Sequence, residues 1–185
     1  GNEASESVNG LLAAKGVARS EFVLIHPGSR WFFKCWPPEN VAQLCDRLAL
    51  NSKQVVLVCG PDELEKELLK RVVQAARVSL VTFPGNLSLR QLAALIGKAR
   101  VFVGMDSAPM HIAAAMGTPT VALFGPSGEV EWGPWMVPHR ILTSRHACRP
   151  CGRDGCGGGK RSECLEAISV EEVLGAVDFL LRAVK

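Results

Sequence analysis

The sequence predicts an α/β fold in which a parallel sheet is covered by helices on both faces. Short runs of β-branched and aromatic residues alternate with helical stretches of about 10–15 residues, a pattern that is typical of βαβ units. Most of these runs are apolar throughout, which indicates strands that are buried on both faces of the sheet. The chain has 185 residues, 48% hydrophobic and 21% charged, so it is long enough to bury a core without disulfides or metals.

The hydrophobic pattern predicts five strands and five helices. The predicted strands cover residues 21–26, 54–59, 79–82, 100–103 and 118–124. The predicted helices cover residues 40–50, 62–76, 88–98, 108–116 and 170 to about 184. Three of these helices follow suitable N-cap residues, namely Ser88, Ser169 and either Asp106 or Ser107.

Composition and charge exclude several classes of protein. No run of about 18 apolar residues occurs, so no membrane span is predicted. The formal charge of +3 is too small to indicate a nucleic-acid partner by itself. Residues 1–10 are polar and acidic, unlike a secretory signal, so we expect a cytoplasmic protein. We interpret residues 1–20 as a lead-in helix, a linker or a tag remnant, and residues 21–185 as one domain.

The loops that follow the strands are the candidate binding segments, because right-handed crossovers bring the carboxyl ends of parallel strands to one edge. The first loop, residues 26–37, combines a turn at Gly28 and Ser29 with the cations Arg30 and Lys34. The backbone N–H groups of such a turn and a lysine charge suit a phosphate group. The alternative is that both cations are ordinary solvated loop residues.

The loop at residues 104–111 joins a predicted strand to a predicted helix. Small residues at such a turn direct free N–H groups and the positive end of the helix dipole toward an anion. Pro109 suits the first turn of the helix, and His111 lies one turn into the helix and could face the ligand. The alternative is that Asp106 and Ser107 only cap the helix and that His111 is a buried structural histidine. No G-x-G-x-x-G motif follows a strand.

The cysteines fall into two groups. Cys35, Cys45 and Cys59 occur singly, as is common for small buried side chains. The other four lie in a Gly- and Arg-rich segment, residues 145–165, with spacings of x2, x4 and x7; they are Cys148, Cys151, Cys156 and Cys164. Four thiols suit a zinc site, although a typical zinc ribbon has two C-x2-C pairs and this segment has one. Disulfides and free thiols are the alternatives.

Five segments, taken together and in order, resemble one known family. They read HPGSRWFFKCWP, VLVCGPDE, FPGNLSLRQLAALI, VGMDSAPMHIAAAMGTPTVALFGPS and EWGPW. They are similar to the heptosyltransferases of lipopolysaccharide core assembly, glycosyltransferase family 9, and most similar to the branch that adds the third inner-core heptose. The resemblance covers residues 21–184. It implies a two-lobed GT-B architecture of which this chain is the C-terminal, Rossmann-like, donor-binding lobe.

The resemblance also implies roles for particular residues. Ser29 and Lys34 would contact the phosphates of ADP-heptose, and Lys34 would stabilise the leaving group. The diphosphate and sugar-facing loop would consist of Asp106, Ser107, Ala108, Pro109 and His111. The adenine slot would be lined by Gly85, Asn86 and Leu87, with Asp62 or Glu63 near the ribose. The family usually has glycine at the position of Ala108.

The implied activity is an inverting transfer of L-glycero-D-manno-heptose from ADP-heptose to the lipopolysaccharide inner core. No cofactor is implied, and the general base would belong to the other lobe. The implied location is cytoplasmic, peripheral at the inner membrane, without a nucleic-acid partner. Two alternatives are a nucleotide-binding module without transferase activity and a zinc-dependent interaction domain built on the four clustered cysteines.

Overall fold

A computed structural model describes residues 2–18 and 21–183. The strands are β1 (Phe22–His26), β2 (Gln54–Cys59), β3 (Val81–Pro84), β4 (Val101–Met105), β5 (Thr120–Leu123) and β6 (His139–Leu142). The helices are α1 (Asn2–Ala14), α2 (Pro38–Leu50), α3 (Glu63–Ala75), α4 (Leu89–Ile96), α5 (Ala108–Ala115), α6 (Glu129–Trp132), α7 (Glu163–Glu166) and α8 (Val170–Ala183). Short 3₁₀ turns lie at Phe32–Lys34 and Cys156–Gly158.

The six strands form one parallel sheet in the order β3-β2-β1-β4-β5-β6. The predicted α/β fold with helices on both faces is therefore confirmed. Strand order reverses between β1 and β4, and the loops after these two strands diverge there. Such a switch point at the carboxyl edge is where open α/β sheets bind ligands.

Each face of the sheet buries its own core. In β1, Val23 and Ile25 pack with the residues of α2, α3 and α8 on one face. Phe22 and Leu24 point to the other face and pack with α1, α4 and α5. The period-2 alternation of side chains explains this division. It also explains why the central strands are apolar throughout.

Several boundaries differ from the prediction. β3 begins two residues later than predicted, because the N–H groups of Arg77 and Val78 donate to Asp46 Oδ1 at 2.9 and 3.1 Å and tie this segment to α2. β6, α6 and α7 were not predicted. β6 is a partly exposed edge strand and therefore lacks a continuous apolar run. The predicted helix end at residue 184, and residues 19–20 of the lead-in, lie outside the described residues.

Two of the three predicted helix caps are present. Ser88 forms a capping box with Gln91, and Ser169 exchanges equivalent hydrogen bonds with Glu172. The predicted side-chain cap of α5 was wrong. Ser107 occupies the N-cap position, but its hydroxyl donates to the Met105 carbonyl at 3.3 Å. Within residues 2–18 and 21–183, no helix is long and apolar enough to cross a membrane.

Candidate functional site

An ion pair links the two loops that diverge at the switch point. Lys34 ends the 3₁₀ turn after β1, and Asp106 directly follows β4. Lys34 Nζ lies 2.6 Å from Asp106 Oδ2, and the two side chains are 23% and 8% exposed. Lys34 is thus a partnered cation, and the interpretation of it as an ordinary solvated residue was wrong. A partly buried pair of this kind is stronger than a surface pair because solvent screens it less.

A cavity of about 480 Å³ surrounds this ion pair. Its lining contains seven of the residues predicted from the sequence: Ser29, Lys34, Asp106, Ser107, Ala108, Pro109 and His111. It also contains Arg30, a candidate cation of the first loop, and six residues that were not predicted, namely His26, Trp31, Gly60, Glu65, Leu92 and Trp132. His111 is exposed toward solvent, so the alternative that it is a buried structural histidine was wrong.

His26 and Glu65 form a buried support beneath the first loop. His26 Nδ1 lies 3.1 Å from the Gly28 carbonyl, and Nε2 lies 3.4 Å from Glu65 Oε2. The same Glu65 oxygen accepts the N–H of Gly60 at 2.9 Å. Burial lowers the pKa of His26, and this effect outweighs the negative charge of Glu65, which acts to raise it. The neutral imidazole is therefore favoured at pH 7. Glu65 therefore connects the loops after β1 and β2.

Two residues in the C-terminal part of the chain, Ser162 and Ile168, form hydrogen bonds with the first loop. Ser162 Oγ donates to the Phe33 carbonyl at 2.6 Å. The indole Nε1 of Trp36 donates to the Ile168 carbonyl at 3.1 Å, and the Trp36 ring is fully buried. Two buried hydrogen bonds on either side of Lys34 restrict the positions that its side chain reaches.

Five predicted residues do not line this cavity. Asp62 caps α3 by accepting the Leu64 N–H at 2.9 Å, and Glu63 pairs with Lys66. Gly85, Asn86 and Leu87 follow β3, and Gly85 adopts a positive φ of 74°. A Cβ on Gly85 would lie 2.6 Å from the carbonyl oxygen of Gly60, which does line the cavity. The loop after β3 thus adjoins the cavity without forming its wall.

We expect Gly85→Ala to lower the free energy of unfolding by about 1–3 kcal/mol, because alanine is strained at positive φ and its Cβ would meet backbone. Urea denaturation measures the change. Gly10→Ala is the matched control, since Gly10 lies within α1 and a Cβ there meets nothing within 4 Å. That control should be stabilised by about 0.5–1 kcal/mol. Equal responses of the two variants would contradict the strain argument.

All seven cysteines have free thiols. Among residues 2–18 and 21–183, no group of three or more His, Cys, Asp or Glu side chains is arranged to hold a metal ion. The structure therefore does not support the zinc or disulfide alternatives for Cys148, Cys151, Cys156 and Cys164. The segment instead packs against the turn after β5, where the N–H groups of Cys151 and Gly152 donate to the Pro126 carbonyl.

Alkylation at pH 8 should distinguish the thiols. Burial raises the pKa of Cys45 to about 12 and that of Cys59 to about 11, and the thiolate is the reactive form. We expect iodoacetamide to modify the exposed Cys148 first and to leave Cys45 and Cys59 unmodified until denaturant is added. Mass spectrometry of peptides measures the order. A Cys148 that reacts only after a chelator or a reductant is added would contradict the free-thiol state.

Comparison with known proteins supports the family that the motifs indicated. The family model for glycosyltransferase family 9 (heptosyltransferase) matches residues 2–160. Lipopolysaccharide heptosyltransferase 3 of Escherichia coli is 38% identical over 164 residues, which are 86% of this chain and 47% of that protein. The chain thus spans about half the length of the curated relatives that it matches.

Solved structures show the same architecture. A family 9 glycosyltransferase from Veillonella parvula has a TM-score of 0.83 at 25% identity, covering 98% of this chain and 52% of that one. The Escherichia coli heptosyltransferase WaaC, solved with ADP, has a TM-score of 0.71 at 18% identity, covering 88% and 45%. The second likeness concerns the fold alone. By sequence and by fold, this chain belongs to glycosyltransferase family 9, the heptosyltransferase family.

Proposed function

We propose that this chain is the C-terminal, donor-binding half of an inverting glycosyltransferase that moves heptose from ADP-heptose to the lipopolysaccharide inner core. The observation that carries the proposal is the Lys34–Asp106 pair at the switch point, immediately before α5. Ser107 makes no side-chain cap on α5. Because Pro109 carries no N–H and the Met110 N–H donates to the Ser107 carbonyl at 3.0 Å, an anion there would meet mainly the positive end of the helix dipole. A cation beside a helix N-terminus suits a diphosphate. Relatives named heptosyltransferases, one of them solved with ADP, support the nucleotide.

The proposed contacts follow the cavity. Ser29 and Lys34 contact the phosphates, and the segment from Asp106 to Pro109 encloses the diphosphate, with His111 toward the sugar. The loop of Gly85, Asn86 and Leu87 extends the site toward the adenine. Asp62 and Glu63 are engaged in a cap and an ion pair. Neither of them lines the cavity, whereas Glu65 does, so the Glu65 carboxylate is the better-placed candidate for the ribose hydroxyls.

The proposed reaction is a displacement at the anomeric carbon. The acceptor hydroxyl oxygen forms a bond to this carbon while the bond from the carbon to the β-phosphate oxygen breaks. The acceptor proton passes to a base in the other half of the enzyme. Negative charge grows on the departing ADP, so a preorganised cation and helix N-terminus stabilise the transition state more than the bound donor. Lys34 and the positive end of the α5 dipole supply this stabilisation.

The same proposal places the acceptor site mainly in the other half and the enzyme on the cytoplasmic side of the inner membrane, where core assembly takes place. We expect the 185-residue chain to bind donor without turning it over. Its partners are then the nucleotide sugar and, through the companion half, the lipopolysaccharide acceptor.

Calorimetry with ADP, UDP and NAD tests the donor assignment. Binding of ADP in clear preference to UDP and NAD is the expected result. A preference for NAD would indicate dehydrogenase-type chemistry and overturn the proposal. Transfer assays with the chain joined to a companion half separate a transferase from a nucleotide-binding module, because the module would bind ADP without transferring heptose.

A further inference from the structure

Two partly exposed tryptophans lie at the rim of the cavity. Trp31 lies in the loop after β1 and is 53% exposed, and Trp132 ends α6 and is 57% exposed. Both line the same cavity as Lys34 and Asp106. Tryptophan is enriched at binding interfaces because it combines a large apolar ring with one polar N–H group.

Trp31 is held in a fixed orientation by its neighbours. Its ring stacks on that of Phe33 with centroids 6.1 Å apart and planes 28° apart, and Phe33 is buried. The guanidinium carbon of Arg30 lies 5.8 Å from the Trp31 ring centroid. The ring is therefore preorganised, which lowers the entropy that a ligand must overcome when it stacks there.

The short helix α6, which carries Trp132, is anchored by the cysteine-containing segment. Arg149 is 6% exposed, and its Nη2 lies 3.0 Å from Glu129 Oε2 in the first turn of α6. Arg149 Nε also donates to the Gly125 carbonyl at 2.6 Å. This buried arginine ties the short helix to the turn after β5. The segment from residue 145 to 165 thus has a structural role beside the site.

We propose that Trp31 and Trp132 are walls of a subsite that stacks a pyranose ring. One face of such a ring presents C–H groups, which pack on the electron-rich face of an aromatic ring. The hydroxyls of the ring then reach polar side chains that line the same cavity, including Asp106 and His111. This inference rests on the proposed donor function and adds the sugar-recognising residues to it. The ring belongs either to the donor heptose or to the acceptor heptose.

The first experiment measures binding of ADP and of ADP-heptose to the 185-residue chain. In Trp31→Ala and Trp132→Ala, we expect the affinity gain from ADP to ADP-heptose to fall roughly tenfold, with binding of ADP itself unchanged. Trp135→Ala is the matched control, because Trp135 is 80% exposed and lies three residues beyond Trp132 outside the cavity lining. Melting temperatures verify that the three variants remain folded.

The second experiment adds a heptose-containing core oligosaccharide to the ADP-saturated chain joined to a companion half, because the acceptor site is proposed to lie mainly in that half. A loss confined to the oligosaccharide in Trp31→Ala and Trp132→Ala supports the subsite and assigns it to the acceptor, whereas a loss confined to ADP-heptose assigns it to the donor. Unchanged binding of both sugars, with ADP bound normally, would overturn the subsite and leave the proposed donor function intact. Failure of the unaltered chain to bind ADP would overturn both.

Discussion

Lys34→Ala is expected to weaken ADP binding at least about thirtyfold, because a charge-assisted hydrogen bond contributes about 2 kcal/mol. The loss has two physical parts. The phosphate loses its cation, and Asp106, only 8% exposed and 2.6 Å from Lys34 Nζ in the intact pair, becomes an unpaired carboxylate beside the ligand. Calorimetric titration with ADP measures the change. In a two-lobed enzyme, heptose transfer should fall further, by about 10²-fold or more, because the cation acts most strongly on the departing ADP.

A matched control separates local contact from overall charge. Lys160→Ala removes the same charge from an exposed lysine that pairs with Asp154 and lies outside the cavity lining. It should change the ADP dissociation constant less than twofold. An equal loss in both variants would attribute the effect to net charge and contradict the assignment of Lys34.

Combining Lys34→Ala with Asp106→Asn tests the second part of the loss. If the orphaned carboxylate repels the diphosphate, the double variant recovers part of the affinity that Lys34→Ala loses. Residues in direct contact couple in this way, whereas independent residues give additive changes. Strictly additive losses from the two substitutions would show that the Asp106 carboxylate, once Lys34 is removed, does not repel the phosphate.

The central fold was predictable because its signals are local. The buried strands β1, β2, β4 and β5 are short, largely apolar runs, and most adjoining helices carry an apolar stripe. The edge strand β6 was missed because its first two residues, His139 and Arg140, are exposed. Arg140 instead lies over the Phe179 ring of α8, at 3.6 Å from the centroid. Only the tertiary structure makes this polar stretch a strand.

The candidate site was likewise predictable only in part from the sequence. The loops that carry Lys34 and Asp106 were predicted because turn residues, cations and small residues are visible at the strand ends. His26 and Glu65 were missed because His26 is the last residue of a strand and Glu65 lies within α3, so no spacing in the sequence pairs them. Trp132 was missed for a related reason, since the helix that carries it is anchored by an ion pair between Glu129 and Arg149, which lies in a distant segment.

Trp36→Ala is expected to produce the largest loss of stability, about 3–5 kcal/mol, because it removes a fully buried indole and leaves a cavity. The indole also donates to the Ile168 carbonyl at 3.1 Å, which would lose its partner. For a chain of this size the melting temperature should fall by about 2–4 °C per kcal/mol. The stability of Trp36→Phe should lie between that of the unaltered chain and that of Trp36→Ala, because phenylalanine keeps most of the ring volume but lacks the N–H donor.

The consequence for binding follows from the position of Trp36, two residues after Lys34. The Trp36 hydrogen bond anchors the end of the first loop to the segment before α8, so its loss should release the loop and weaken ADP binding as well as folding. Trp135→Ala again provides the control, since removing an 80% exposed ring should change stability by no more than about 0.5 kcal/mol. A Trp36→Phe variant that binds ADP as tightly as the unaltered chain, despite reduced stability, would show that packing of the ring rather than the hydrogen bond positions Lys34.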